Sequence, residues 1–169
     1  MDLNEENIMI NKKFVFILIS ILIIFSFVSL FFIENHSLVA HDESLYANRA
    51  KLIIDTNNWF APFDKAHHKT IGSYWLIALS FKLFGINEFS ARLPSYIFSI
   101  LSSFVLFKII QNISSLRIGL ISFFTLSSSF LWFSYSKYCS PDTIYIFFNL
   151  LSVFYPVSYT HLTLPTMRT

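Results

Sequence analysis

The sequence predicts an all-α fold, a polytopic transmembrane helical bundle with juxtamembrane amphipathic helices in its first outer loop. Of the 169 residues, 54% are hydrophobic and only 13% are charged, whereas soluble domains carry about 25% charged residues. Long runs of Phe, Ile and Leu recur along the chain, and the mean hydropathy is +0.58. A chain with so few charges lacks the polar surface that a water-soluble fold needs.

The first segments predict a cytoplasmic tail over 1–13 and a transmembrane helix over 14–33. The second segment is an uninterrupted apolar run of 20 residues, which can cross a hydrocarbon core of about 30 Å. A signal peptide has a shorter apolar core and a small-residue cleavage site, so we expect a retained helix. Lys12 and Lys13 precede the run, and positive charge favours the cytoplasmic side.

Residues 34–92 are predicted to form an outer loop with two helices, over about 43–55 and 73–84. Asp42 can cap the first helix, because a short acceptor side chain satisfies the free N–H groups of the first turn. The second helix is apolar but only 12 residues long. Segments of this length are more often interfacial than spanning. We therefore expect the second helix to lie flat on the membrane.

Further spans are predicted over 93–111 and 118–135, and a fourth begins over 143–156. The short loop between the first two of these is flanked by Lys108 and Arg117. If the preceding short helix lies flat, this basic loop falls in the cytoplasm, as the positive-inside bias prefers. The topology then returns the chain to the outer face before the fourth span.

The fourth span is predicted to start at Ser140-Pro141-Asp142 and to stop at Pro156. Serine is a favoured cap, proline fits the first helical position, and an acidic residue is favourable in the first turn. Residues 157–169 turn to Ser, Thr, His and Pro without periodicity, and they resemble translated read-through of a sequencing adapter. We expect this tail to be non-native and the chain to be an amino-terminal fragment.

This topology brings three polar sites to one face of the membrane: Asp42-Glu43, the cluster His67-His68-Lys69, and Asp142. Ionised groups beside hydrocarbon are energetically costly, so charged residues at a predicted membrane surface suggest a functional site. A carboxylate with a lysine nearby suits transfer from a phosphate-linked donor. The ammonium group neutralises the leaving phosphate, and the carboxylate receives a proton or stabilises developing positive charge.

Each of these residues also has a simpler explanation. Asp42 is equally well explained as a helix cap and Asp142 as a first-turn acid, and Lys69 fits a surface lysine. His67 and His68 fit a solvated loop, although one of them could bind a metal with a nearby acid. The Lys and Arg residues are scattered and form no basic stripe, so nucleic acid is not an expected partner.

Several short motifs follow one another in a specific order. They read Asp42-Glu43-Ser44-Leu45-Tyr46-Ala47, Trp59-Phe60-Ala61-Pro62, Lys69 before Tyr74-Trp75, Glu88-Phe89-Ser90-Ala91-Arg92-Leu93-Pro94, and Ser140-Pro141-Asp142. No single motif is specific, but their order over residues 10–155 resembles the start of a C-type membrane glycosyltransferase. The branch that it resembles contains the protein O-mannosyltransferases and the lipid A aminoarabinose transferases.

The resemblance implies roles for several residues. Asp42 and Asp142 are implied to be catalytic, and Lys69 is implied to contact the donor phosphate. The remaining residues placed in substrate binding are Glu43, Tyr46, Tyr74 and Arg92. Relatives usually have Lys-Pro where this chain has Lys69-Thr70. Where this chain has His68, some relatives have an acid that could bind a metal. His68 is therefore the candidate ligand for a divalent metal in this chain.

The resemblance leads us to expect a multi-pass glycosyltransferase of the bacterial inner membrane whose active face is periplasmic. It would move a hexose or pentose from a polyprenyl-phosphate donor to a lipid or protein acceptor, and the fragment alone would be inactive. The alternative is a transporter or lipid-handling protein, in which carboxylates should lie inside the spans and face a bundle interior. Here Asp42, Glu43 and Asp142 lie at predicted span ends, which favours surface chemistry.

Overall fold

The computed structural model describes residues 37–39, 42–63 and 71–163, with single positions at 16, 20, 30 and 33. The chain divides into two compact units, Met1–His36 and Ser37–Thr169. In the first unit, the Ser20 hydroxyl donates to the carbonyl of Phe16 four residues earlier. The predicted tail over 1–13, most of the predicted span over 14–33, and the cluster at 67–69 lie outside the described residues.

Six helices form the described part of the second unit, and we find no strand in it. They are α1 (Asp42–Thr56), α2 (Ile71–Phe84), α3 (Glu88–Ile113), α4 (Leu116–Ser128), α5 (Phe130–Ser136) and α6 (Asp142–Thr163). Helix α3 packs against α2, α4 and α6, and α1 packs against α2. The described part of this unit is therefore all-α, with α3 as its central helix.

Local sequence explains where the first helices end and where α3 begins. Asn57 follows α1 at φ 51° and Gly85 follows α2 at φ 82°, and these two residue types enter the left-handed region at low cost. A capping box starts α3. The Asn87 side chain accepts from the N–H of Ser90 at 2.8 Å, and the Ser90 hydroxyl accepts from the N–H of Asn87 at 3.2 Å.

A buried apolar cluster joins α1, α2 and the start of α3. From α1 it takes Tyr46, Ala47, Ala50 and Ile53, and from the rest of the unit Tyr74, Ile77, Ala78, Phe81, Ala91 and Cys139. The opposite side of α2 is exposed at residues four apart, Trp75, Leu79 and Leu83. Helix α2 therefore buries one side against α1 and leaves an apolar side uncovered within this unit.

One described helix, α3, is long and apolar enough to cross a membrane, and α4 and α5 pass the same test as a bent pair. The predicted span over 93–111 falls inside α3. Helix α2 has 14 residues, so it is about 21 Å long, which is shorter than a hydrocarbon core of about 30 Å. The flat orientation predicted for the segment 73–84 stays a prediction.

The segment 118–135, predicted to be a span, is bent in the structure. Helices α4 and α5 meet at Ser129 with a bend of 66°. Ser129 has extended backbone angles, and its hydroxyl donates to the carbonyl of Leu126 at 3.0 Å. Serine side chains that bond to nearby backbone carbonyls compete with the helical ladder and bend helices. The Ser128 hydroxyl adds a second such bond, to the carbonyl of Thr125 at 3.5 Å.

Helix α6 also differs from its prediction, because it continues through Pro156 to Thr163. Proline removes one N–H donor and crowds the preceding turn. Helix α6 nevertheless packs against α3. The Asn112 amide of α3 donates to the Ser158 hydroxyl, beyond the proline, at 3.0 Å. Packing against α3 therefore outweighs the local preference for a helix end at Pro156.

Helices α3 and α4 approach each other closely at Gly119. A Cβ atom at this position would lie 3.0 Å from the carbonyl oxygen of Phe107 and 3.3 Å from the backbone nitrogen of Gln111. We predict that Gly119→Val forces the two helices apart and lowers the free energy of unfolding by about 1–3 kcal/mol, as overpacking does. Thermal unfolding of the purified protein in detergent measures this change.

Gly72→Val is the matched control, because a Cβ atom at Gly72 would have no neighbour within 4 Å. The midpoint of thermal unfolding of Gly72→Val should stay close to that of the wild type. Equal effects of the two substitutions would show that helix propensity, and not the close approach at Gly119, determines the loss.

Candidate active site

A buried carboxylate ties the start of α1 to α3 and to the loop before α6. Glu43 is 0% exposed. Its Oε1 atom accepts from Arg92 Nε at 2.8 Å and from the Cys139 N–H at 2.7 Å. Its Oε2 atom accepts from Arg92 Nη2 and from the Val39 N–H, both at 2.8 Å. Arg92 Nη2 also donates to the carbonyl of Ser37 at 3.2 Å.

This network keeps Glu43 ionised. Burial alone raises the pKa of the Glu43 carboxyl group. The Arg92 hydrogen bond, the N–H groups of Val39 and Cys139, and the charge of Arg92 oppose this effect and lower the pKa below its usual value. A buried charge pair stabilises a protein only when its geometry is good and its remaining atoms are hydrogen-bonded. Glu43 and Arg92 meet both conditions, because they form a bidentate salt bridge.

An open cleft of about 370 Å³ lies beside this network. Three of the residues predicted from sequence line it: Asp42, Tyr46 and Asp142. Asp42 is exposed in the first turn of α1, and Asp142 is half-buried in the first turn of α6. The structure therefore brings together two carboxylates that lie 100 positions apart in the sequence.

Hydrogen bonds to α3 hold the chain that leads into Asp142. The Ser95 hydroxyl donates to the carbonyl of Ser140 at 2.9 Å and accepts from its N–H at 3.3 Å. The Ser140 hydroxyl donates to Asp142 Oδ2 at 3.2 Å and accepts from the Asp142 N–H at 3.3 Å. The predicted helix start at Ser140-Pro141-Asp142 is confirmed, since α6 begins at Asp142.

Tyr46 stands between the apolar cluster and the cleft. It is 8% exposed, and its ring lies 6.0 Å from that of Tyr74, measured between centroids. Burial raises the pKa of the Tyr46 hydroxyl, and the negative charge of Asp142, together with weaker contributions that include Asp42, raises it further. Tyr46 therefore remains a neutral hydrogen-bond donor close to both carboxylates.

Other residues predicted for the site lie elsewhere. Glu43, Arg92 and Tyr74 do not line the cleft within the described part of the chain. Glu43 and Arg92 are bonded to each other behind it, and Tyr74 is buried against Phe63 with 5.5 Å between ring centroids. Their position suits holding the site in shape better than touching a substrate.

Lys69 and His68 lie outside the described residues, so their predicted roles at a donor phosphate and a metal stay predictions. Among the residues that the structure describes, no group of three or more His, Cys, Asp or Glu side chains could hold a metal ion. Cys139 is 0% exposed, and burial raises the pKa of its thiol to about 12. It is therefore an inert thiol.

Four lining residues were missed from the sequence: Ser134, Tyr135, Tyr138 and Ser140. The signal that could have found them is the close spacing of Tyr135 and Tyr138 before the Ser140-Pro141-Asp142 helix start. The sequence places Tyr135 at the end of the span predicted over 118–135. The bend at Ser129 gives α5 a direction of its own and lets its last turn form part of the cleft.

The comparison with protein families identifies the larger group to which this site belongs. Residues 68–162 match the family described as dolichyl-phosphate-mannose-protein mannosyltransferase, and this match covers more than half of the chain. The chain belongs to this mannosyltransferase family. The resemblance seen in the sequence motifs is thereby confirmed. The match includes α2 to α5 and nearly all of α6. Of the cleft lining it includes Ser134, Tyr135, Tyr138, Ser140 and Asp142, whereas Asp42 and Tyr46 precede the matched segment.

The curated relatives of this mannosyltransferase-family chain include an uncharacterized protein and arabinosyl transferases of several bacteria. A protein of Aquifex aeolicus (strain VF5), described as uncharacterized, is 28% identical over 147 residues, which are 85% of this chain and 29% of the relative. The undecaprenyl phosphate-alpha-4-amino-4-deoxy-L-arabinose arabinosyl transferase of Wigglesworthia glossinidia brevipalpis is 27% identical over 156 residues, 89% of this chain and 27% of the relative.

The transferase of the same description from Pseudomonas paraeruginosa is 32% identical over 85 residues, 48% of this chain and 16% of the relative. The chain thus spans less than a third of the length of these relatives. No solved structure matches the chain significantly. The family membership therefore rests on sequence.

We predict that Glu43→Gln lowers the free energy of unfolding by about 3–5 kcal/mol, because it leaves the buried Arg92 without a compensating charge. Unfolding of the protein in detergent measures the loss. Asp55→Asn is the matched control, since Asp55 is an exposed acid on the same helix. Substitutions at such exposed positions usually change stability by about 0.5 kcal/mol or less.

The pH dependence of the free energy of unfolding, measured for the wild type and for Glu43→Gln, tests whether the lost ion pair is the cause. The pKa of Glu43 is lowered in the folded state, so its ionisation contributes stability that is fully present above pH 4.5, its ordinary value. That contribution is lost as the pH falls through the folded pKa. The difference between the wild type and Glu43→Gln should shrink over this acid range. A difference that stays constant would contradict the ion-pair explanation.

Proposed function

We propose that this chain is part of a multi-pass membrane glycosyltransferase that moves a sugar from a polyprenyl-phosphate donor to a lipid or protein acceptor. The family match and the descriptions of the relatives support a membrane-bound glycosyltransferase. The observation that carries the proposal is the meeting of Asp42 and Asp142 at one cleft. The donor would be undecaprenyl phosphate-linked, as in the names of the relatives.

In the proposed reaction, an oxygen atom of the acceptor attacks the anomeric carbon of the sugar, and the bond from that carbon to the phosphate oxygen breaks. Asp42 takes the proton of the acceptor, as a positioned general base does. Asp142 positions the acceptor or stabilises the positive charge that develops on the sugar. Lys69 neutralises the phosphate that leaves, and Arg92 and Glu43 hold α1 and the loop before α6 in place.

Membrane placement follows from the same proposal. In this proposal, the segments predicted as spans over 14–33, 93–111, 118–135 and 143–156 cross the inner membrane of a bacterium, with the bent pair α4–α5 as one broken span. The loop over 34–92 lies in the periplasm, and α1 and α2 lie at the membrane surface. A divalent metal near His68 belongs to the proposal only as an open alternative.

The transporter alternative finds less support in the geometry. A proton or substrate path requires carboxylates inside the spans, facing a bundle interior. Asp42 and Asp142 each lie in the first turn of a helix, and the cleft that they line is open. Carboxylates at helix starts beside an open cleft suit transfer chemistry at a membrane surface.

We predict that Asp42→Asn and Asp142→Asn, each made in the full-length protein, reduce sugar transfer by about 10²–10⁴-fold, the range that general acid–base groups contribute. Asparagine keeps the shape of aspartate but cannot take the proton. Transfer is measured in vesicles with undecaprenyl-phosphate aminoarabinose and with undecaprenyl-phosphate mannose as donors. Asp55→Asn should retain full transfer, because Asp55 lies on α1 away from the cleft lining.

Membrane insertion and thermal unfolding of these variants should match the wild type. Full transfer by Asp42→Asn would reject the assignment of Asp42 as the base. Failure of the wild type to transfer either sugar would reject the choice of donor.

We also predict that positions 45 and 145 lie on the same side of the membrane. Leu45 is 44% exposed and Tyr145 is 69% exposed, and each lies within one turn of a cleft carboxylate. Leu45→Cys and Tyr145→Cys should both react with a membrane-impermeant maleimide added to the periplasmic side of spheroplasts. The wild type is the control, because Cys139 is fully buried. Labelling of the two positions from opposite sides would contradict the proposed topology.

A further inference from the structure

The lining of the cleft has an unusual chemical uniformity. Each of the seven residues that line it carries either a hydroxyl or a carboxylate group. Three are tyrosines, two are serines and two are aspartates. No aliphatic, Lys or Arg side chain belongs to this lining in the part of the chain that the structure describes. Such a surface suits a ligand with many hydroxyl groups, and it does not suit a prenyl chain or a bare phosphate.

Two of the tyrosines form a pair at the end of α5. The ring centroids of Tyr135 and Tyr138 lie 6.4 Å apart, and the rings are tilted by 51°. The N–H of Tyr138 donates to the carbonyl of Tyr135 at 3.2 Å, so a tight turn carries both rings to the same cleft. Tyr135 is 47% exposed. Its ring is therefore accessible to a ligand and is not required to fill the core.

The charge environment keeps the hydroxyl of Tyr138 available as a donor. Burial raises the pKa of this hydroxyl, and the negative charges of Glu43 and Asp42 raise it further. Asp42 has the same effect on Tyr46. A tyrosine joins an apolar ring to a polar tip. It can therefore cover the C–H face of a sugar ring and exchange hydrogen bonds with the hydroxyl groups at its edge.

We propose that Tyr135 and Tyr138 recognise the sugar ring of the donor, and that this cleft holds the sugar while its phosphate and prenyl chain are bound elsewhere. The proposal rests on the proposed function and deepens it. The donor is the substrate that must carry a sugar in this reaction, whereas the acceptor is a lipid or a protein. The pair lines the same cleft as Asp42, where the sugar has to lie during transfer.

The test measures binding and transfer in the full-length protein. The probes are undecaprenyl phosphate with and without its sugar, using whichever of the aminoarabinose and mannose donors the wild type binds. Tyr135→Leu and Tyr138→Leu should each weaken binding of the sugar-bearing donor about 2- to 10-fold, the range for one aromatic contact. They should raise the KM for the donor by a similar factor. Binding of the sugar-free lipid and the KM for the acceptor should not change.

Two further variants separate recognition from folding. Tyr135→Phe keeps the ring, so donor binding should remain closer to the wild type than in Tyr135→Leu. Tyr145→Leu is the matched control, since Tyr145 is an exposed tyrosine on α6 that does not line the cleft. Because Tyr135 is half exposed, its truncation leaves no core cavity, and thermal unfolding should confirm an intact fold.

Three results would overturn the proposal: no change in donor binding, equal weakening for both lipids, or an effect confined to the acceptor. If the wild type binds neither sugar donor, the proposed function fails together with the sugar assignment. If the wild type transfers sugar and Asp42→Asn abolishes that transfer while the leucine variants bind the donor normally, only the tyrosine assignment fails.

Discussion

The bidentate salt bridge between Glu43 and Arg92 is the constraint on which the cleft depends. Glu43 immediately follows Asp42, and its carboxylate also accepts from the N–H of Cys139, three residues before Asp142. A single side chain therefore fixes the distance between the two segments that carry the cleft acids. Arg92 anchors this junction to the central helix α3.

The ion pair fixes the register of α1 against its neighbours, which apolar packing alone cannot do. Apolar contacts are non-directional, so α1 could slide along α2 by a fraction of a turn at little cost. Four hydrogen bonds to one carboxylate specify both position and orientation. The apolar cluster around Ala50 and Ile53 supplies burial, while the network at Glu43 decides which register of that packing persists.

The bend at Ser129 is the second feature that shapes the cleft. A straight helix would continue the axis of α4 and carry the following residues along it. The 66° change of direction gives α5 its own path, and its last turn brings Ser134 and Tyr135 to the cleft. Serine hydroxyls that bond to nearby carbonyls lower the cost of this break. The same bend that interrupts this candidate membrane span therefore contributes residues to the proposed site.

The sequence by itself determined the helical class, the family, and Asp42 and Asp142 as candidate acids, because composition, caps and motif order are local properties of the chain. It also located the start of α6, since Ser140, Pro141 and Asp142 act within a single turn. Tertiary structure alone decided that Glu43 and Arg92 bond to each other behind the cleft and that Tyr135 and Tyr138 line it. These outcomes depend on contacts between residues up to 96 positions apart and on the direction that α5 takes after the bend at Ser129, which a linear pattern does not specify.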